Sequence, residues 1–293
     1  MKKFFGKMLG ITLIFVLIIT TPVHAITWED LSELSVSFDF SVNSEFSQVL
    51  SGDVPRWRIS SPEYDILANG VAVGVTGTVV AEGRTASVFM EIDIDLEQLL
   101  GDSYQQMLPM LGTLNVDLSE PFRIWIETDF TDLNNPAYLI VIEVPTFIRM
   151  ALMFADASLT SQYWVIDLSD LIAEELADID VEYEINKLIS EYTIADLIAE
   201  LEAEIASMLE YMEEEADVFA YGFDILENGD ISAFFNFVMT HTYRNYTETI
   251  DFAFSGEITN INAAEIVPLP LPQLTAGNSL DLLKWMNDTT LRI

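Results

Sequence analysis

Cysteine is absent from all 293 residues. That excludes disulfide staples and thiolate metal sites, and with them a lipid-modified N-terminal cysteine. Histidine is nearly absent: His24 and His241 are the only two. Cations are scarce, with twelve Lys+Arg against 48 Asp+Glu and a formal net charge of −36. A surface so acidic repels phosphate backbones and anionic headgroups, which excludes nucleic-acid binding as a function class. The chain also has no G-x-S-x-G nucleophile elbow, no Walker loop and no Rossmann glycine pattern. What is abundant is apolar: 51% of residues are hydrophobic, too many for a disordered acidic chain.

The first 25 residues read as an address. Lys2, Lys3 and Lys7 form a positive start, "MLGITLIFVLII" an apolar centre, and Val23 and Ala25 the small positions before a cut. A retained anchor is the rival reading, and the apolar run is short for a span. Removing a leader that holds three of the twelve Lys+Arg and no acid leaves nine against 48, a balance of −39. The expected product is a secreted, extracytoplasmic, bacterial protein of the cell envelope. No later stretch is long and apolar enough to span a membrane. Residues 26–293 read as a single β-rich domain with a helical insertion at about 169–216.

Period-two alternation dominates. In "LSVSFDFSVNSEF" Val36, Phe38, Phe40 and Val42 point one way, and Ser35, Ser37, Asp39 and Ser41 the other. Residues 47–69 read as a loop, or as a loop with a short strand at "RWRIS". Two long runs then meet at "AEGR", where Gly83 predicts a hairpin. In the second run Val88, Met90, Ile92, Ile94 and Leu96 share a face opposite Glu91, Asp93 and Asp95. Strands at 122–130 and 137–144 flank "TDLNNP", a second hairpin. Pro145 opens a helix over 145–156. "YWVIDL" is a strand that runs directly into a helix capped by Asp167 or Ser169. Asn228-Gly229 marks a third hairpin, residues 246–261 form another strand, and "INAAEIVPLPLPQL" closes the sheet. A terminal turn of helix follows in "NSLDLLKWMND".

The helical insertion carries one stripe. From Thr193, a plausible N-cap, Ile194, Leu197, Ile198, Leu201, Ile205, Met208, Leu209 and Met212 recur at spacings of three and four. One-face alternation predicts an antiparallel sheet with one covered side. A sheet of roughly eight to eleven twisted strands should curl. The expected fold is therefore α+β and β-rich: a curved antiparallel sheet, or half-barrel, with a long amphipathic helix packed on its concave face.

This order, with "YWVIDLSDL" passing from an aromatic strand through Asp-Leu-Ser into a helix, resembles the LolA/LolB/LppX superfamily of bacterial envelope lipid carriers. The resemblance implies an open barrel with helices over its mouth and acyl chains held in the gap. It assigns no functional residue.

The residues supply candidates of their own. Once the leader is gone His241 is the sole histidine, and it reads as a polar residue near a strand end rather than a general base. Glu91, Asp93 and Asp95 match no EF-hand loop, because no glycine follows "EIDID"; they read as a solvated face, so no metal and no cofactor is expected. Phe234 and Phe235 put large groups on both faces of one strand. An apolar cavity between sheet and helix would be lined by Met90, Ile92, Ile94, Trp164, Leu201, Ile205, Met208, Phe235 and Phe237; plain core packing is the competing reading. The leading expectation is a non-enzymatic binder or carrier of an apolar, lipid-like ligand. The alternative is a structural or adhesive envelope protein that binds a protein partner through its sheet edge or acidic face, with no cavity. A hydrolase would need two carboxylates converging at roughly 5–10 Å, and no spacing suggests such a pair.

Overall fold

Each strand of the computed structural model takes its place from the alternation just described. Residues 35–56, 68–101, 104, 108–109, 112, 116–153, 156–177, 183, 203, 216–226, 229–263 and 266–290 are described. The strands are β1 (Ser35–Gly52), β2 (Val71–Glu82), β3 (Thr85–Ile94), β4 (Phe122–Asp129), β5 (Ala137–Glu143), β6 (Tyr163–Asp167), β7 (Val218–Ile225), β8 (Ile231–Thr242), β9 (Tyr246–Thr259) and β10 (Ser279–Asp281). Short helices are α1 (Leu96–Leu100), α2 (Thr146–Leu152), α3 (Ser169–Leu176) and α4 (Leu282–Thr290). The strands form one open sheet in the order β10-β6-β5-β4-β3-β2-β1-β9-β8-β7. It is mixed: β10 runs parallel to β6 and every other pair is antiparallel.

The hairpins form where the turn residues lie. Glu82 faces Thr85 across a two-residue turn. Gly83 there has a φ of 58°, a left-handed value that glycine adopts without steric cost. The β7–β8 turn is longer than a two-residue Asn-Gly turn: Leu226 donates its N–H to Asp230, and Gly229 has a φ of 89°.

Three expectations need correction. β1 continues to Gly52 instead of looping from residue 47. Ser44 and Gln48 interrupt its apolar row, and the strand is held by continuous pairing to β9 from Asp39 to Gly52. The prolines in 266–275 carry no strand: Pro268, Pro270 and Pro272 remove every second donor, and the sheet ends instead on three-residue β10. The cap of α3 is Leu168, which makes no side-chain bond. Asp167 accepts the N–H of Ser169 at 3.0 Å, while the Ser169 hydroxyl accepts the N–H of Tyr138 at 3.0 Å. α3 is described only to Leu176, and the long stripe at 194–216 lies outside the described residues.

Pairing registers define two faces. The front face carries Phe38 and Phe40 of β1, Val75 and Val79 of β2, Met90 and Ile92 of β3, Ile124 and Ile126 of β4, and Phe252 and Phe254 of β9. The back face carries Asp39 and Ser41, Thr76 and Thr78, Glu91 and Asp93, Arg123 and Glu127, and Asp251 and Glu257. Val36, Phe38, Ile231 and Ile258 form a buried cluster in front, with Phe40, Val79 and Ile261 against it. A single covered side does not hold throughout. Trp125 and Val141 lie on the back face, yet are 3% and 0% exposed. In "FRIWIETD", "AYLIVIE" and "YWVID" apolar residues take both parities, the pattern of strands covered on both sides.

Candidate functional site

The front face is the broadest feature with chemical character. It places Met90, Ile92 and Ile94 on β3, Trp164 on β6, and Phe235 and Phe237 on β8, all with the same orientation. They do not form one cluster along the sheet. Between β3 and β8 stand β2, β1 and β9, which is about 19 Å at the usual ~4.8 Å strand spacing. Trp164 is half-buried and donates its indole N–H to the Leu159 carbonyl at 3.3 Å. Leu201, Ile205 and Met208 lie outside the described residues.

At the β7 end the front face becomes aromatic. Phe235 sits edge-on to Phe219 at 5.4 Å, to Phe237 at 5.7 Å and to Phe252 at 6.1 Å. Phe237 and Phe252 are 5.5 Å apart, and Phe219 and Tyr221 5.4 Å. Rings at these separations attract beyond their area burial, by about 0.5–1.5 kcal/mol a pair. The cluster is nevertheless open, for Tyr221 and Phe223 are each 52% exposed. Phe234, as its parity predicts, faces the other way and lays its ring over Gly222, where a Cβ would clash.

Two polar clusters flank these surfaces. On the front face near the β8–β9 turn, Glu248 is 6% exposed. It accepts hydrogen bonds from the Gln48 amide and, at 3.1 Å, from the Tyr243 hydroxyl. His241 stands opposite it in register. Periodicity does flag Glu248, since it occupies the apolar parity of Ile250, Phe252 and Phe254, but nothing local marks it as buried. On the back face Arg123 bridges Glu91 at 2.7 Å and Glu143 at 3.2 Å, and the bond to Glu91 chiefly raises its pKa. Glu143 also accepts from Gln162 at 2.8 Å. Beside it the Tyr163 hydroxyl has its pKa raised, first by burial and then by the Glu143 charge.

The Glu91, Asp93 and Asp95 ladder does not converge. Glu91 is engaged by Arg123, and Asp95 accepts the Gln98 N–H at 2.9 Å as the N-cap of α1. Among the described residues no cluster of His, Asp or Glu could hold a metal ion. The cavity found beside Ile92, Ile94, Phe122 and Phe147 measures about 20 Å³, room for a single water. No described helix is long and apolar enough to cross a membrane.

No family model and no curated protein matches the chain. Among solved structures, the crystal structure of m157 from mouse cytomegalovirus aligns over 84% of this chain and 95% of that one, at 8% identity and a TM-score of 0.16. A likeness that slight carries no argument about fold or function.

Proposed function

We propose that the protein is a secreted, non-enzymatic binder or carrier of an apolar, lipid-like ligand at the bacterial cell envelope. In this reading the sheet is a curved half-barrel, and the amphipathic stretch at 194–216 packs over its concave front. Curvature brings the Met90–Ile94 patch towards the Phe235–Phe237 patch. The observation that carries the reading is the front face itself: apolar residues on every strand, mostly half-buried rather than closed into a core. Binding sites for apolar ligands have such linings, with few polar groups among them. A fluorescent fatty acid titrated into the purified protein tests it. Saturable uptake that Phe237→Asp weakens at least tenfold is expected; no uptake by the unaltered chain overturns the reading.

A second reading is a structural or adhesive envelope protein with a filled core that binds a protein partner. Two observations favour it, the one-water size of the cavity found among the described residues and the exposed strand at one edge of the sheet.

A further inference from the structure

We infer that residues 267–272 form a preorganised polyproline-type strap that docks into a groove on a partner protein, lined by Trp and Tyr rings with Lys or Arg at its rim. The inference gives the second reading above a surface and a partner chemistry, and rests on it in needing a protein partner. It holds whether or not the front face also takes a lipid.

In "VPLPLP" the prolines at 268, 270 and 272 alternate with Val267, Leu269 and Leu271. Each proline locks its own φ at about −65°. Each residue before a proline is driven out of the α region into extended or polyproline II geometry. The whole run is therefore held extended without help from a ladder. It is neither helix nor strand, and among the described residues nothing accepts the N–H of Val267, Leu269 or Leu271. A polyproline II backbone has that character, solvated and free of internal hydrogen bonds.

The strap is tied down on both sides. It joins β9 to β10, which have β1, β2, β3, β4, β5 and β6 between them in the sheet. Where it leaves β9, Asn262 donates its N–H to the Ser37 carbonyl at 2.6 Å, and the Asn260 amide donates to Asp39 at 2.8 Å. Where it reaches β10, the Asn278 side chain accepts the Thr275 N–H at 2.7 Å and donates to the Gln273 carbonyl at 3.0 Å. The Asn278 carbonyl in turn accepts the Tyr163 N–H at 2.9 Å. Between these ties Pro268 and Pro272 are half-buried, whereas Val267, Leu269 and Leu271 are 79%, 48% and 37% exposed and Pro270 is exposed among them. A connection that only crosses the sheet forgoes the gain of burying such side chains. Docking covers them, and a segment already ordered loses little freedom when it binds.

The chemistry of the strap chooses the occupant. Flat aromatic rings cover proline rings and aliphatic side chains without requiring the N–H groups that prolines lack. Residues 266–280 contain no Asp, Glu, Lys or Arg, so the floor of the groove needs no charge. The first charged residues on either side are Glu265 and Asp281, in a chain of net charge −36. A rim of Lys or Arg is drawn to such surroundings. A second copy offers the open ring of Tyr221, but with Asp217 and Asp224 close to it in sequence and another −36 to repel.

The test puts a photo-crosslinking amino acid in place of Gln273, Val218 or Asp251, one at a time, in the full-length chain, and irradiates it in an extract of its own cells. All three positions are exposed; Val218 and Asp251 report on the sheet edge and the acidic face. The competitors are a synthetic peptide of residues 266–274 and the same peptide with alanine for its prolines. A Val267→Asp/Leu269→Asp variant, checked for folding by circular dichroism, is the further control. The expected result is a crosslink from position 273 to one other protein, at a peptide with Trp or Tyr beside Lys or Arg. The native peptide should suppress it at least tenfold more effectively than the alanine peptide, and the variant should lose it. If the variant does not fold, the two peptides alone decide. Equal suppression by both peptides, or a crosslinked peptide without Trp or Tyr, overturns the inference. Crosslinks from Val218 or Asp251 but none from position 273 overturn the strap and leave the second reading standing. No crosslink from any position overturns the inference and the second reading together. A crosslink from position 273 to a second copy of the chain overturns the assignment of a partner protein.

Discussion

The two ends of this sheet use similar residues to different effect. Around β4, β5 and β6 the chain buries Trp125, Val141, Val144 and Pro145, with Phe89 and Tyr163 against the Trp125 ring at 5.4 and 6.4 Å. Around β7 and β8 a comparable density of aromatics stays half open. Burial of such rings stabilises a fold by a few kcal/mol each, and that contribution is fully realised only at the covered end. Aromatics left at the open end are poorly explained by stability, because they forgo part of that gain while adding an aggregation hazard. The proposed binding surface would account for them.

Substitutions at the two ends should therefore separate, and the largest effect is expected at the covered one. Trp125→Ala should cost about 3–5 kcal/mol in urea unfolding, the usual penalty for emptying a large buried aromatic site. Trp125→Phe should cost much less, since the indole N–H has no acceptor within reach among the described residues and its loss breaks no bond. At the open end Phe235→Ala should cost about 1–2 kcal/mol, below the range for buried aromatics because the site is half-exposed. A Phe235→Ala cost equal to that of Trp125→Ala would break the comparison.

A smaller contrast comes from pH. The folded-state pKa of Tyr163 is raised, so folding holds its proton more tightly than the unfolded chain does. The stability this implies is fully present below about pH 10, the unfolded value, and is lost as pH rises through the folded one. Tyr163→Phe should flatten the alkaline limb of a stability profile measured by urea unfolding; a limb as steep as that of the unaltered chain would contradict the raised pKa. The smallest effect is expected at the edge. Tyr221→Lys/Phe223→Lys should cost about 1 kcal/mol, roughly the worth of the Phe219–Tyr221 ring pair. A thermal melt more than a few degrees lower would place those rings in the core.

Much of the front face was legible from period-two alternation, because each of Phe38, Met90 and Phe252 is separated from its like by one polar or small residue. Three hairpins were legible because their turns are local: Gly83, the "TDLNNP" loop and the Asn228-Gly229 pair act within a few residues. What escaped is non-local. The second half of β1 reads as a loop alone and becomes a strand only through β9, some two hundred residues away. β10 is three residues that no pattern marks, held by a parallel partner. The buried back face of β4 and β5 was visible as continuous apolar runs, but alternation elsewhere drew the reading towards a one-sided sheet. For the candidate site, parity grouped Met90, Ile92 and Ile94 within β3 and Phe235 and Phe237 within β8, while only the pairing registers put them and Trp164 on one face. It could not supply the distance across β2, β1 and β9 that separates them.

The most direct test of a ligand-binding open end is native mass spectrometry of the protein purified from its own envelope, followed by solvent extraction. A bound apolar molecule that is released on unfolding is the predicted result. A clean mass for the chain alone would contradict it and make the front face ordinary packing.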